Sequence, residues 1–424
     1  MSFAVGPESV VLSGTTAASL AYPNITSGSL VVRSRHPDGT DTSWPHLNVI
    51  ASNVTYVEGV DYTVDYTAGT IARTAGSSIP NFASAGGAPN GANGAWIVWV
   101  TYTAAGTAFA ATKTTAVPRF TARVAAGQSL KILVLGDSIS TGAEAERYGI
   151  GPNYDDLPLP ATILKAHPYY VQWPGYIRDT FGCATTVIMR AQGATTSTTL
   201  ADDSINAARV TQAYDLIILA FGMNGAGGGA SDFTHHIDWV RANSASYTEF
   251  ILMSGCTNYA GGGTIKSILD TVAASRSGVY VADGTARWTT LVAGRKGYRS
   301  CLRNDTNHPT SFGHMLYTEA LMAAVPDANP LTLDSDAVWS QSGTILTVSH
   351  APIGSRSSVR GTALSSGGGL VRFTGANANR FTCSLDGSTW TSTVTIPVGT
   401  TAVYLSALPQ SGDTTLSASV GIPV

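Results

Sequence analysis

From Leu130 to Ala324 short apolar runs alternate with helix-length stretches, and this restricts the fold more than any other feature of the chain. Lys131–Leu135 (KILVL), Thr186–Met189 (TVIM), Leu216–Phe221 (LIILAF), Phe250–Met253 (FILM) and Val279–Val281 (VYV) have strand length and are largely apolar. Between them, Val171–Phe181, Asp202–Tyr214, Phe233–Ala242 and Ile265–Ser275 have the length and pattern of helices, and Ser311–Ala324 closes the series. Strand-length runs that alternate in this way with helices predict an α/β fold, a parallel sheet with helices on both faces.

The flanks read differently. Residues 1–110 hold short Val-, Tyr-, Thr- and Trp-rich runs, Ser29–Arg33, Thr55–Val57, Tyr62–Tyr66 and Trp96–Tyr102, separated by Asp-Gly, Ala-Gly and Asn-Gly turn signals. Both faces of the last run are largely apolar, which suits a strand covered on two sides. A β-rich accessory domain, sandwich-like in form, is expected there. Residues 111–127 read as a linker, 128–326 as the α/β domain, and 327–424, rich in Ser, Thr and Gly, as a second β-sandwich-like domain.

Charged residues make up only 12% of the 424, with a net charge of −3. No basic stripe is present, so nucleic acid is not expected as a partner. No apolar run reaches the length of a membrane span. The N-terminus lacks a positive region followed by an apolar core, so it does not read as a signal peptide. The composition suits an extracellular or virion-associated protein better than a cytoplasmic one, and an oligomer stays open. The four cysteines, Cys183, Cys256, Cys301 and Cys383, form no C-x-x-C pair, and no metal is expected. Cys256 and Cys301 are either a disulfide stapling the loop before Asp305 or two isolated buried thiols.

Two motifs carry chemistry. The first strand of the α/β region ends in Leu135-Gly136-Asp137-Ser138-Ile139-Ser140, which puts Ser138 where such folds place their sites. Near the end of the region stands Asp305-Thr306-Asn307-His308-Pro309. A serine hydroxyl needs a base to take its proton, and that base needs an acceptor to fix its tautomer. An Asp three residues before a His can supply both from one loop.

Together these motifs resemble the SGNH (GDSL) hydrolase family, over about residues 130–325. The resemblance extends to Gly193, in Arg190-Ala191-Gln192-Gly193-Ala194-Thr195 after the second strand, and to Asn224, in Phe221-Gly222-Met223-Asn224 after the third. It implies Ser138 as nucleophile, His308 as general base and then acid, and Asp305 as the group that orients His308. The backbone N–H groups of Ser138 and Gly193 and the side-chain amide of Asn224 would form the oxyanion hole. It implies no cofactor. The chain departs from the family pattern at Gly225, where many relatives have Asp, and at Ala191, where an Asn is frequent. These departures touch fine positioning and not the reaction class. The ordinary α/β-hydrolase signature G-x-S-x-G is not met, because Ser140 stands at its last position.

Weaker signals compete. Gly225–Ala230 fits the glycine spacing of a dinucleotide loop, but no acidic residue ends the following strand, and a flexible loop beside the site is the better reading. His235-His236 lacks a partner at helical spacing for a metal. Asp155-Asp156 reads as a solvated loop. The insertion Glu144–His167 is long for a strand-to-helix connection and carries Tyr148 and Tyr154. Tyr148, Tyr170 and Trp173 are accordingly expected as substrate contacts, since aromatic faces suit sugar rings; packing onto the domain is the alternative. The combined reading is a serine esterase removing O-acetyl or other small acyl groups from a carbohydrate or polysaccharide. Its rivals are an esterase or lipase on small or lipid esters, and an inactive carbohydrate-binding tail or surface protein.

Overall fold

A computed structural model describes residues 2–38, 53–82, 96–125, 128–143, 145, 154–157, 159, 165–181, 183–225, 227–255, 262–296, 300–302 and 308–326, and beyond these the C-terminal strands with a few neighbouring residues. Two compact units divide the chain. One comprises Met1–Thr112, Ile132–Trp173 and Val187–Ala323; the other comprises Lys113–Lys131, Pro174–Thr186 and Ala324–Val424.

The N-terminal strands are β1 (Ser2–Val11), β2 (Ala18–Ser19), β3 (Val31–Arg33), β4 (Thr55–Tyr56), β5 (Tyr62–Asp65), β6 (Thr70–Arg73) and β7 (Ile97–Ala105). They form a four-stranded sheet in the order β1-β7-β3-β4 and a three-stranded sheet in the order β2-β6-β5. One core joins the two, with Val10, Val32, Val98 and Val100 from the first sheet and Tyr62 and Ile71 from the second. β1 is an edge strand whose pairing with β7 shifts register between Val5 and Glu8, around Gly6-Pro7. Gly6 has φ +93°, and a Cβ there would lie 2.4 Å from the Val100 carbonyl oxygen, so only glycine fits this bulge.

Within 111–127, read above as linker, Pro118–Ala125 forms a helix, α1, with Phe120 and Val124 buried. Proline at its first position needs no intrahelical N–H bond. The α/β elements follow: β8 (Leu130–Gly136), β9 (Tyr154–Leu157), α2 (Tyr169–Phe181), β10 (Thr185–Met189), α3 (Asp203–Arg209), β11 (Leu216–Ala220), α4 (Ala230–Asn243), β12 (Glu249–Met253), α5 (Gly262–Ser275), β13 (Val279–Ala282), α6 (Gly284–Trp288) and α7 (Ser311–Leu321).

The sheet order is β13-β12-β11-β8-β10-β9. Five strands are parallel, and β9, inside the insertion read as a loop, pairs antiparallel with β10. Leu133, Leu135, Ile217, Leu219, Phe250 and Leu252 face a layer built from Phe233, Ile237 and Val240 of α4 and Ile265, Leu269 and Val272 of α5. The alternate residues Ile132, Val134, Ile218 and Ile251 are fully buried as well, so the sheet is covered on both faces. Each such side chain contributes about 1.5–3 kcal/mol of burial. The architecture is thus a three-layer α/β fold.

After Pro326 the described residues form two sheets, ordered β14-β20-β16-β18 and β15-β19-β17, from strands Leu346–Ser349 (β14), Arg356–Arg360 (β15), Gly369–Thr374 (β16), Phe381–Ser384 (β17), Val394–Ile396 (β18), Ala402–Ala407 (β19) and Ser417–Gly421 (β20).

Candidate active site

Parallel strands bring their carboxyl ends to one edge of the sheet, and three of the expected site residues follow such ends. β8 and β11 are neighbours with Gly136 opposite Ala220, so the segments leading to Ser138 and Asn224 emerge side by side. Gly136 cannot be replaced without movement, because a Cβ would lie 2.6 Å from the Ala220 carbonyl oxygen and 2.3 Å from Ser140 Oγ. The loop after β10 is tied to the same strand end: Gln192 N–H donates to the Gly136 carbonyl at 2.9 Å.

Asp137 staples two of these loops together. Its carboxylate accepts the Ile139 N–H at 3.0 Å, in the turn of Ser138, and the Met223 N–H at 3.2 Å, one residue before Asn224. Burial pushes its pKa up to about 6, against the lowering effect of those two hydrogen bonds.

Ser138 follows in a tight turn that its own carbonyl helps to close, accepting the Thr141 hydroxyl at 2.7 Å. Its Oγ lies 2.8 Å from His308 Nε2, a contact between residues 170 apart in sequence. His308 is partly buried, and burial holds its imidazole below the ordinary histidine range. Burial thus favours the neutral imidazole, the form that can accept a proton. Asp305 lies outside the described residues. The two sides of its loop meet in an antiparallel bridge between Leu302 and Pro309. Thr310 then caps α7, its hydroxyl accepting the Gly313 N–H at 3.3 Å.

Gly193 packs beside Ser138, where a Cβ would stand 3.8 Å from Ser138 Cβ. Its neighbour Ala194 takes φ +61°, a left-handed conformation uncommon outside glycine and frequent at functional turns. Asn224 is exposed, and its Nδ2 donates to the Thr195 carbonyl at 3.1 Å, joining the second loop to the third. Thr195 carried no signal in the sequence, because it acts through a backbone carbonyl that every residue possesses.

The expected aromatic wall is corrected. Tyr170 and Trp173 are 0% exposed and have no face to offer a sugar ring. Tyr170 instead braces the turn of Ser138, its hydroxyl donating to the Thr141 carbonyl at 3.0 Å, while the neighbouring Tyr169 hydroxyl lies 2.8 Å from Ser140 Oγ. Tyr148 lies outside the described residues. Trp173→Ala is accordingly expected to lower unfolding free energy by about 3–5 kcal/mol, as for other buried aromatics. Denaturant titration measures that loss. A rise in KM without loss of stability would return Trp173 to the substrate.

The glycine loop after Asn224 is anchored internally. Asp232 accepts the Gly228 N–H and the Ser197 hydroxyl, both at 2.8 Å, so a carboxylate of the chain occupies a place where a phosphate cradle would offer N–H groups. His236 is fully buried against Asn206 at 2.7 Å, and desolvation pushes its pKa down to about 3. His235 pairs at the surface with Asp203. Among the described residues no group of three His, Cys, Asp or Glu could hold a metal ion, and no helix is long and apolar enough to cross a membrane. Cys301 is a buried free thiol, pushed up to about 12 by its burial, and Cys256 lies outside the described residues.

No protein-family model and no curated protein matches the chain. Solved structures do. A catalytic mutant of an acetylxylan esterase from Geobacillus stearothermophilus is 14% identical, over 46% of this chain and 94% of its own, with a TM-score of 0.37. A two-domain esterase active on acetylated mannans is 15% identical, over 71% of this chain and 93% of its own, with a TM-score of 0.35. A putative lipolytic protein of the G-D-S-L family from Desulfitobacterium hafniense is 19% identical, over 45% and 97%, with a TM-score of 0.31.

Proposed function

We propose that the chain is a serine esterase that removes small acyl groups, acetyl above all, from a carbohydrate. The observation that carries this reading is the 2.8 Å contact of His308 Nε2 with Ser138 Oγ at the carboxyl edge of the parallel sheet. In this mechanism His308 takes the Ser138 proton as Oγ attacks the ester carbonyl. The tetrahedral intermediate collapses as His308 protonates the departing sugar oxygen, which leaves as a hydroxyl, and an acyl-Ser138 remains. Water then attacks the acyl group, His308 taking its proton and returning it to Ser138 as the acid leaves. Asp305 orients His308, and the N–H groups of Ser138 and Gly193 with the Asn224 amide receive the negative charge on the carbonyl oxygen.

Composition and the flanks support a sugar substrate. The β-rich flanks suit an enzyme acting on polymers, and the low charge content suits an extracellular or virion setting. Acetate release from acetylated polysaccharides, followed by mass spectrometry, tests the substrate. Alongside it, p-nitrophenyl acetate should exceed the octanoate ester in kcat/KM by about tenfold or more, the scale on which apolar contacts discriminate. A preference for octanoate with no acetate released from any polysaccharide would replace this reading by a lipid esterase.

A further inference from the structure

The N-terminal edge strand β1 reaches the base of the loop that carries His308. Ser9, fully buried, donates its hydroxyl to the Ser300 carbonyl and lies 3.0 Å from the Thr310 hydroxyl. The Val11 N–H donates to Ser300 Oγ at 3.2 Å. Ser300 enters that loop and Thr310 leaves it, with the Leu302–Pro309 bridge between them and Thr310 N–H donating to the Cys301 carbonyl at 2.9 Å. One β1 hydroxyl therefore touches both sides of the base, two residues from the histidine.

Beside it, Glu8 and Lys296 form an ion pair at 3.5 Å with both side chains 0% exposed. Glu8 also accepts the Ala21 N–H on both oxygens, at 3.2 and 3.0 Å. Lys296 Nζ stands 5.1 Å over the ring of Phe312, four residues after His308. Its neighbour Arg295 donates to the Leu20 and Ala68 carbonyls at 2.5 and 2.7 Å. A buried pair of charges is a poor source of net stability, because desolvation offsets its attraction, and its best-attested use is to fix register. Here the register is that of β1 against Lys296, Ser300 and Thr310.

We propose that Ser9 and Glu8 are positioning residues for His308, so that the N-terminal sheet is a working part of the hydrolytic site and not a detachable module. This rests on the reading of Ser138 and His308 given above. The imidazole must meet the hydroxyl within a few tenths of an ångström, and its loop is held at its base by β1.

The test is steady-state hydrolysis of p-nitrophenyl acetate by the full chain, with thermal melting recorded for each variant. Ser9→Ala should lower kcat by about tenfold, a fraction of the effect of a 1 Å misplacement, with KM within about twofold. Ser9→Thr, which keeps the hydroxyl, should recover most of that loss. Glu8→Gln should lower kcat in the same direction, and it is the variant to read if Ser9→Ala does not fold. Val57→Ser, exposed just beyond β4 of the same sheet, should leave kcat unchanged. Melting temperatures that fall while both Ser9→Ala and Glu8→Gln keep the parental kcat would make the contacts merely structural and overturn the inference. Equal kcat losses in Ser9→Ala and Ser9→Thr would overturn it as well. A Ser138→Ala protein that still turns over would instead overturn the esterase mechanism, so the two failures are distinguishable.

Discussion

Ser138→Ala and His308→Ala should each lower kcat for p-nitrophenyl acetate by about 10⁴-fold or more, and the double variant should lose no more than either alone. The non-additivity is the sharper half of this expectation. The 2.8 Å contact makes hydroxyl and imidazole one device: without the base the serine is a weak nucleophile, and without the serine the base has no proton to take. KM should change little, because neither group holds the ground state. Ser138 is only partly buried, so removing its hydroxyl leaves the fold intact, and circular dichroism with thermal melting checks this. Independent losses that multiply in the double variant would mean that the two residues act in different steps, and the proton transfer proposed between them would fail.

The parts that were legible from residues alone have a common physical character. Strands β8 and β10–β13 sit within a residue of their expected ends, because each carries an unbroken, largely apolar run. β1 was not legible: Gly6-Pro7 interrupts its ladder with a bulge, and Glu8 and Ser9 put polar side chains into what is in fact a buried strand. The short helix α6 and the π-helical turn that follows it, Thr289–Lys296, carry no period long enough to register. At the candidate site, the motifs around Ser138, Gly193 and Asn224 stood out because each follows an apolar strand run, and His308 because it precedes the last helix. Tyr170 and Trp173 were misplaced for the converse reason. An aromatic ring looks the same in sequence whether its face meets a sugar or the underside of a turn, and only burial separates the two. The Ser9–Thr310 contact, between residues 301 apart, joins two hydroxyls of no distinctive pattern and needed the assembled fold.

Asn224→Ala should lower kcat by about 10²–10³-fold with KM nearly unchanged, the usual loss for one oxyanion-hole donor. A side-chain amide has two N–H bonds. One is spent on the Thr195 carbonyl at 3.1 Å, which fixes the plane of the amide and leaves the second to donate. The backbone beside it is fixed too, since Asp137 holds the Met223 N–H and the turn of Ser138 with one carboxylate. A donor oriented in this way before charge develops would need no reorganisation in the transition state. Asn224 is exposed, so truncating it should barely alter the melting temperature, and a kinetic loss is then a loss of chemistry. Asn224→Asp is the discriminating companion. It keeps the shape, removes both donors and puts a negative charge beside a developing oxyanion, so it should fall below the alanine variant. Should Asp at 224 instead match or exceed Ala in kcat, the amide would be acting only as a strut to Thr195, and the negative charge of the intermediate would have to be received by the backbone N–H groups alone.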